Sequence, residues 1–172
     1  FICVAGPYST GKTTFLKYLL QRDIPGSRIG PQPTTDRFTL IMHGEHDQTI
    51  PGQTEILHHP FQYLEQFGPA FLNRLEGAQM NSDLLRHVTL VDTPGVLAGA
   101  KYPYDFPGVV EWFVNRSDRV LVFFDAHKLD ISDTFKQVLS VLKDKDEKVR
   151  IVLNKADTVT VPNLLRVYGS LM

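Results

Sequence analysis

Apolar positions along this chain alternate between short unbroken runs and stripes at helical spacing. Positions 1–5 (FICVA) form a continuous apolar run, as expected of a strand covered on both faces. A helix follows, starting near Lys12 and reaching position 20. Positions 21–35 are rich in Pro and Gly and read as an ordered loop. Positions 37–42 (RFTLIM) predict the next strand, with Thr39 among apolar neighbours, and 43–53 a polar turn leading to a short strand around 55–58. Over 60–80, Phe61, Leu64, Phe67, Phe71, Leu72 and Leu75 recur at largely helical spacing. Gly68-Pro69 interrupts them, so the expectation is two helical pieces or one kinked helix.

The second half repeats the alternation more clearly. Strands are expected at 87–91 (HVTLV), 119–124 (RVLVFF) and 149–153 (VRIVL). Helices are expected at 107–115, burying Val109, Val110, Trp112 and Phe113, at 133–142 and from 162 to 172. The charge run 143–150 reads as a solvated helix end and turn. Strands alternating with helices imply an α/β fold with a mostly parallel sheet, right-handed crossovers and helices on both faces. With no repeats, low-complexity tracts or internal linker, all 172 residues read as one domain.

Composition narrows the class only a little. The chain is 42% hydrophobic and 22% charged, enough for a sizeable core, and its net charge of −1 gives no electrostatic case for nucleic acid. The one cysteine, Cys3, falls in the first strand, which excludes a disulfide framework and suits a reducing compartment. No apolar run approaches the roughly 20 residues needed to span a bilayer. The chain opens in mid-strand without a methionine, so the expectation is that the true N-terminus lies upstream.

Candidate chemistry lies where predicted strands end. Between the first strand and helix, GPYSTGKT at positions 6–13 fits G-x-x-x-x-G-K-[ST]. Glycines let successive N–H groups curl around an anionic phosphate, and the helix N-terminus adds partial positive charge. Gly6, Pro7, Tyr8, Ser9, Thr10, Gly11, Lys12, Thr13 and Thr14 are therefore candidate nucleotide contacts. Lys12 is placed for the β- and γ-phosphates and the Thr13 hydroxyl for Mg²⁺. The turn Asp92-Thr93-Pro94-Gly95 follows an apolar strand, with Asp92 a Mg²⁺ ligand directly or through water and the Gly95 N–H a γ-phosphate sensor. Asn154-Lys155-Ala156-Asp157 ends another strand, where Asn154, Lys155 and Asp157 can hold a base. A γ-phosphate-responsive ligand belongs in the loop before RFTLIM, and of Thr34 and Thr35 the preferred residue is Thr35, for Mg²⁺ and for aiming the attacking water. His43, Glu45, His46 and Asp47 gather ligating side chains, but at no helical or hairpin ligand spacing, and read as a solvated turn. His58 and His59 read as surface residues.

YSTGKTTF, GPQPTTDRF, DTPGVLAG, YDF followed by EWF, FDAHKLDISD, and LNKAD followed by RVYGSLM resemble the EHD proteins, the EH-domain-containing, dynamin-related ATPases. The resemblance covers essentially the whole chain and implies a dynamin-type P-loop nucleotide-binding (G) domain that hydrolyses ATP slowly with Mg²⁺. It further implies a homodimer and higher oligomers in a longer protein acting in endocytic trafficking. That protein would be cytoplasmic and peripheral on endosomal or plasma membrane. In the family a helical domain touches lipid and an EH domain usually binds Asn-Pro-Phe peptides; neither is expected within these residues. Pro7 stands where the family commonly has Gln, removing one N–H near the phosphates. His59 stands where a basic residue usually precedes Pro-Phe, and the chain is shorter between Ala100 and Tyr104. On the base, the two lines of reasoning diverge. Asp157 as an acceptor pair suits guanine and GTP, whereas the resemblance implies ATP.

Overall fold

The computed structural model describes residues 1–27, 36–129 and 131–171. Seven strands form one sheet: β1 (Ile2–Ala5), β2 (Phe38–His43), β3 (Gln48–Pro51), β4 (Leu75–Met80), β5 (Leu90–Asp92), β6 (Arg119–Asp125) and β7 (Val149–Asn154), in the order β3-β4-β2-β5-β1-β6-β7. β1 lies parallel to both β5 and β6, β6 is parallel to β7, and β2 is parallel to β4. The β2–β5 and β3–β4 pairs are antiparallel, so the sheet is mixed at one side and parallel where β5, β1, β6 and β7 meet.

Helices cover both faces, because residues alternate across each central strand. From β1, Cys3 joins the cluster holding Phe38, Leu40, Val120, Val122 and Phe124. This face is covered by α4 (Phe106–Arg116) and α5 (Asp133–Val141), through Val109, Val110, Phe113, Phe135 and Val138. Its centre is aromatic, with the Phe38 ring 5.5 to 5.7 Å from those of Phe71, Phe106 and Phe113. Val4 joins the opposite cluster with Ile41, Leu90 and Phe123, covered by α1 (Lys12–Leu20) through Leu16 and Leu20. The result is the expected three-layer α/β arrangement. No described helix is long and apolar enough to cross a membrane.

Two expectations need correction. The two helical pieces expected around Gly68-Pro69 are a 3-10 helix (Phe61–Phe67) and a four-residue α3 (Pro69–Leu72), but from Leu75 the expected helical stripe is instead β4. Leu75 matched helical spacing, but it starts a strand held on both edges by β2 and β3, so sheet pairing overrode the periodicity. The short strand expected at 55–58 lies earlier, as β3, and is followed by a single helical turn, α2 (Gly52–Glu55).

That turn carries a buried carboxylate. Glu55 is 1% exposed, its Oε1 has no hydrogen-bond partner among the described residues, and it lies against Gly77 of β4, where a Cβ would come within 2.1 Å. Burial holds the Glu55 carboxyl above its ordinary value, with His58 opposing. The cost of burying this charge is absent while Glu55 is protonated in both states and complete once pH passes the raised folded value. Glu55→Gln should therefore match the parent's melting temperature near pH 4 and exceed it increasingly towards pH 8. Thermal denaturation across that range checks this, and parallel curves would refute it.

Candidate functional site

β1 ends at Ala5, and the chain turns through Gly6–Gly11 into α1. Gly6 has φ +154°, and a Cβ there would meet the Phe123 carbonyl oxygen at 2.5 Å. Gly11 has φ +90°, and a Cβ would meet Asn154 Nδ2 at 2.3 Å. Both positions need glycine, one to pass β6 and the other to admit Asn154 against the loop.

Lys12 is 5% exposed and folds back across the loop, where its Nζ donates to the carbonyls of Gly6 at 3.1 Å and Pro7 at 2.9 Å. Burial pulls its pKa down to about 8, partly offset by the negative charge of Asp92. A buried ammonium whose hydrogen bonds among the described residues go to two carbonyls is incompletely compensated, which suits it to a phosphate. Thr10 closes the same turn by donating to the Pro7 carbonyl at 2.9 Å.

The D-T-P-G turn lies directly alongside. Thr13 Oγ1 donates to Asp92 Oδ2 at 2.6 Å, while Asp92 Oδ1 is buried without a hydrogen-bond partner among the described residues. Burial raises the Asp92 carboxyl above its ordinary range, with the Thr13 bond and the Lys12 charge opposing. A hydroxyl and a carboxylate with an unused buried oxygen are hard oxygen donors of the kind Mg²⁺ takes, so these residues fit the metal. Two backbone bonds fasten this turn to the phosphate loop: the Tyr8 N–H donates to the Val96 carbonyl at 3.0 Å and the Val96 N–H to that of Gly6 at 3.3 Å. Gly95 packs so close that a Cβ would lie 2.7 Å from the Tyr8 Cα.

The third motif is fastened as well. Asn154 Nδ2 donates to the Thr10 carbonyl at 2.9 Å, and Lys155 Nζ donates to the Ser9 carbonyl at 2.9 Å and to Asp125 Oδ2 at 2.7 Å. Asp125 is in register with Asn154 across the β6–β7 pair. Its carboxyl lies below the ordinary value; burial opposes that, and bonds from Lys155 and the His127 N–H outweigh it. Asp157 and Thr14 are both exposed. Thr34 and Thr35 lie outside the described residues. Of the residues singled out in the sequence, the structure brings together those from Gly6 to Thr13 with Asp92, Gly95, Asn154 and Lys155. The sequence reasoning missed Asp125 as a site residue, although its place at the end of an apolar strand was a usable signal.

In the 43–47 turn, Asp47 pairs with Arg22. No group of three or more His, Cys, Asp or Glu able to hold a metal occurs among the described residues.

A phosphate loop opening a helix off a central parallel strand, with D-T-P-G and N-K-x-D turns at neighbouring strand ends, defines a P-loop nucleotide-binding domain. The model of the dynamin family matches residues 2–156, and the chain belongs to that family. It is a dynamin-like nucleotide-binding domain. It is 49% identical over 177 residues to EH domain-containing protein 2 of Rattus norvegicus, covering 99% of this chain and 33% of that protein. It is 52% identical over 177 residues to EH domain-containing protein 1 of Arabidopsis thaliana, covering 99% and 32% respectively. The chain thus spans about a third of the length of the curated relatives it matches. Among solved structures, one of an oligomerised bacterial dynamin pair aligns with a TM-score of 0.57 at 19% identity, over 99% of this chain and 28% of that one. Era of Aquifex aeolicus, bound to GDP and aluminium fluoride, aligns at 0.54 and 18% identity, over 99% and 45%. These two likenesses support the fold.

Proposed function

We propose that this domain binds and slowly hydrolyses ATP with Mg²⁺, as the nucleotide-dependent part of a membrane-remodelling protein in endocytic trafficking. The observation that carries the reading is the fastening of the phosphate loop to both neighbouring motifs, Thr13 to Asp92 and Asn154 to Thr10. Lys12 would release its two carbonyls and pair with the β- and γ-phosphates, beside loop N–H groups and the start of α1. Thr13 and Asp92 would hold Mg²⁺, with Thr35 as a further ligand, and the metal would neutralise charge on the phosphate oxygens. Gly95 and Thr35 would position the γ-phosphate and attacking water, so that rate enhancement comes from orientation and charge rather than a general base. Lys155, held by Asp125, would lay its stem against the base.

Likeness to the EH domain-containing proteins supports ATP as the nucleotide, homodimers and higher oligomers of the whole protein, and a cytoplasmic place at endosomal or plasma membrane. It also supports lipid contact through a helical domain and Asn-Pro-Phe peptide binding through an EH domain, both outside this chain. The exposure of Asp157 favours the same choice of nucleotide. Its carboxylate can stay solvated beside adenine, whose unprotonated N1 offers it no donor. The second reading is a GTPase, favoured by Asn154, Lys155 and Asp157 themselves, since Asp157 can accept from the N1 and 2-amino groups of guanine. ATP should bind at least about tenfold tighter than GTP, a gap of about 1.4 kcal/mol. Calorimetric titration of both nucleotides with Mg²⁺ tests this, and equal or tighter GTP binding would promote the second reading.

A further inference from the structure

The turns after β6 and β7 are joined by a closed ring of hydrogen bonds. Asp125 accepts from Lys155 Nζ through one oxygen, at 2.7 Å, and from the His127 backbone N–H through the other, at 2.8 Å. The Thr158 hydroxyl donates to the Lys155 carbonyl at 2.7 Å, and its oxygen meets His127 Nε2. Because the Thr158 proton is already committed to Lys155, His127 must be the donor in that last contact, which assigns the proton to Nε2. The ring encloses an uncommon backbone: Lys155 adopts φ 59°, ψ 26° without being glycine. Such a conformation is disfavoured for a residue with a Cβ and persists where surrounding contacts over-determine it. Here the ring secures both ends of Lys155, its ammonium through Asp125 and its carbonyl through Thr158.

The geometry points to His127 as a positioning residue for the nucleotide base. Its Nε2–H fixes the Thr158 hydroxyl, which fixes the left-handed turn that aims the Lys155 stem. The inference rests on the nucleotide-binding reading above and holds for either base. His127 and Thr158 are both exposed, so truncating them does not threaten the core.

The test is ATP titration with Mg²⁺ by calorimetry on the parent chain, His127→Ala, His127→Gln, Thr158→Val and the His127→Ala/Thr158→Val pair, with melting temperatures alongside. Opening the ring should weaken ATP binding by about fivefold to tenfold in either single variant. Because both act through the same ring, the double variant should bind within about twofold of the weaker single. His127→Gln, which keeps an N–H donor, should recover most of the loss, and melting temperatures should stay together. Unchanged affinity in His127→Ala, additive losses in the double variant, or a Gln variant no better than Ala would each overturn the proposal. A parent chain that binds neither ATP nor GTP would instead refute the nucleotide reading, and the inference with it.

Discussion

Replacing Lys12 by Met should weaken Mg-nucleotide binding at least a hundredfold and leave a folded domain. The ammonium is the one side-chain cation inside the phosphate loop, and its present partners are the carbonyls of Gly6 and Pro7. Hydrogen bonds to charged groups are worth about 1.5–3 kcal/mol each. Losing two such bonds to phosphate forfeits about 3 kcal/mol or more, which is at least two decades in affinity. Methionine keeps the apolar stem, which packs where the lysine is 5% exposed, so no large void opens. The negative charge of Asp92 loses a favourable neighbour, but the Thr13 hydroxyl still donates to it. Circular dichroism should therefore match the parent while a fluorescent-nucleotide titration shows no binding at concentrations that saturate the parent. Near-parent affinity would remove Lys12, and with it the phosphate loop, from the nucleotide site.

The site could be read from the sequence because each motif follows a strand of unmistakable character. FICVA is apolar throughout and RVLVFF is apolar after Arg119, and their strands pair in parallel side by side, so the turns that follow them emerge at one end of the sheet. The D-T-P-G and N-K-x-D turns join them there through the β1–β5 and β6–β7 pairs. In the ring, Asp125 ends an apolar strand and Lys155 belongs to N-K-x-D, but nothing in the sequence marks His127 and Thr158 as their partners. Its members are 33 positions apart at the extremes and meet only because β6 and β7 are in register at Asp125 and Asn154. The β2–β4 side was harder for a different reason. LEGAQM offers neither alternation nor β-branched residues, and it becomes a strand because two neighbours pair with it. Gly77, in its middle, is there to make room for Glu55, a contact that no local pattern encodes.

Asp92→Asn should separate metal binding from folding in opposite directions. Asp92 is 2% exposed; one carboxylate oxygen accepts from Thr13 at 2.6 Å and the other is buried without a hydrogen-bond partner among the described residues. An unpaired buried polar atom costs about 1–3 kcal/mol, more when it carries charge, so the metal-free chain bears this arrangement at the expense of its own stability. Asparagine keeps an oxygen for Thr13 and removes the charge. The variant should therefore melt at a higher temperature than the parent at neutral pH. Below the ordinary carboxylate range, where Asp92 is protonated in both folded and unfolded chains, the difference should vanish. For the metal the change runs the other way. Losing a carboxylate from a cation's surroundings, whether it binds directly or through water, typically lowers affinity by about 10–100-fold. ATP affinity measured at increasing Mg²⁺ should show that loss, while ATP affinity in EDTA should stay level or rise, because a carboxylate no longer faces the triphosphate. A variant that responds to Mg²⁺ as the parent does would exclude Asp92 from the metal site. A variant that melts lower would show that the buried carboxylate stabilises the fold instead of being held there for the cation.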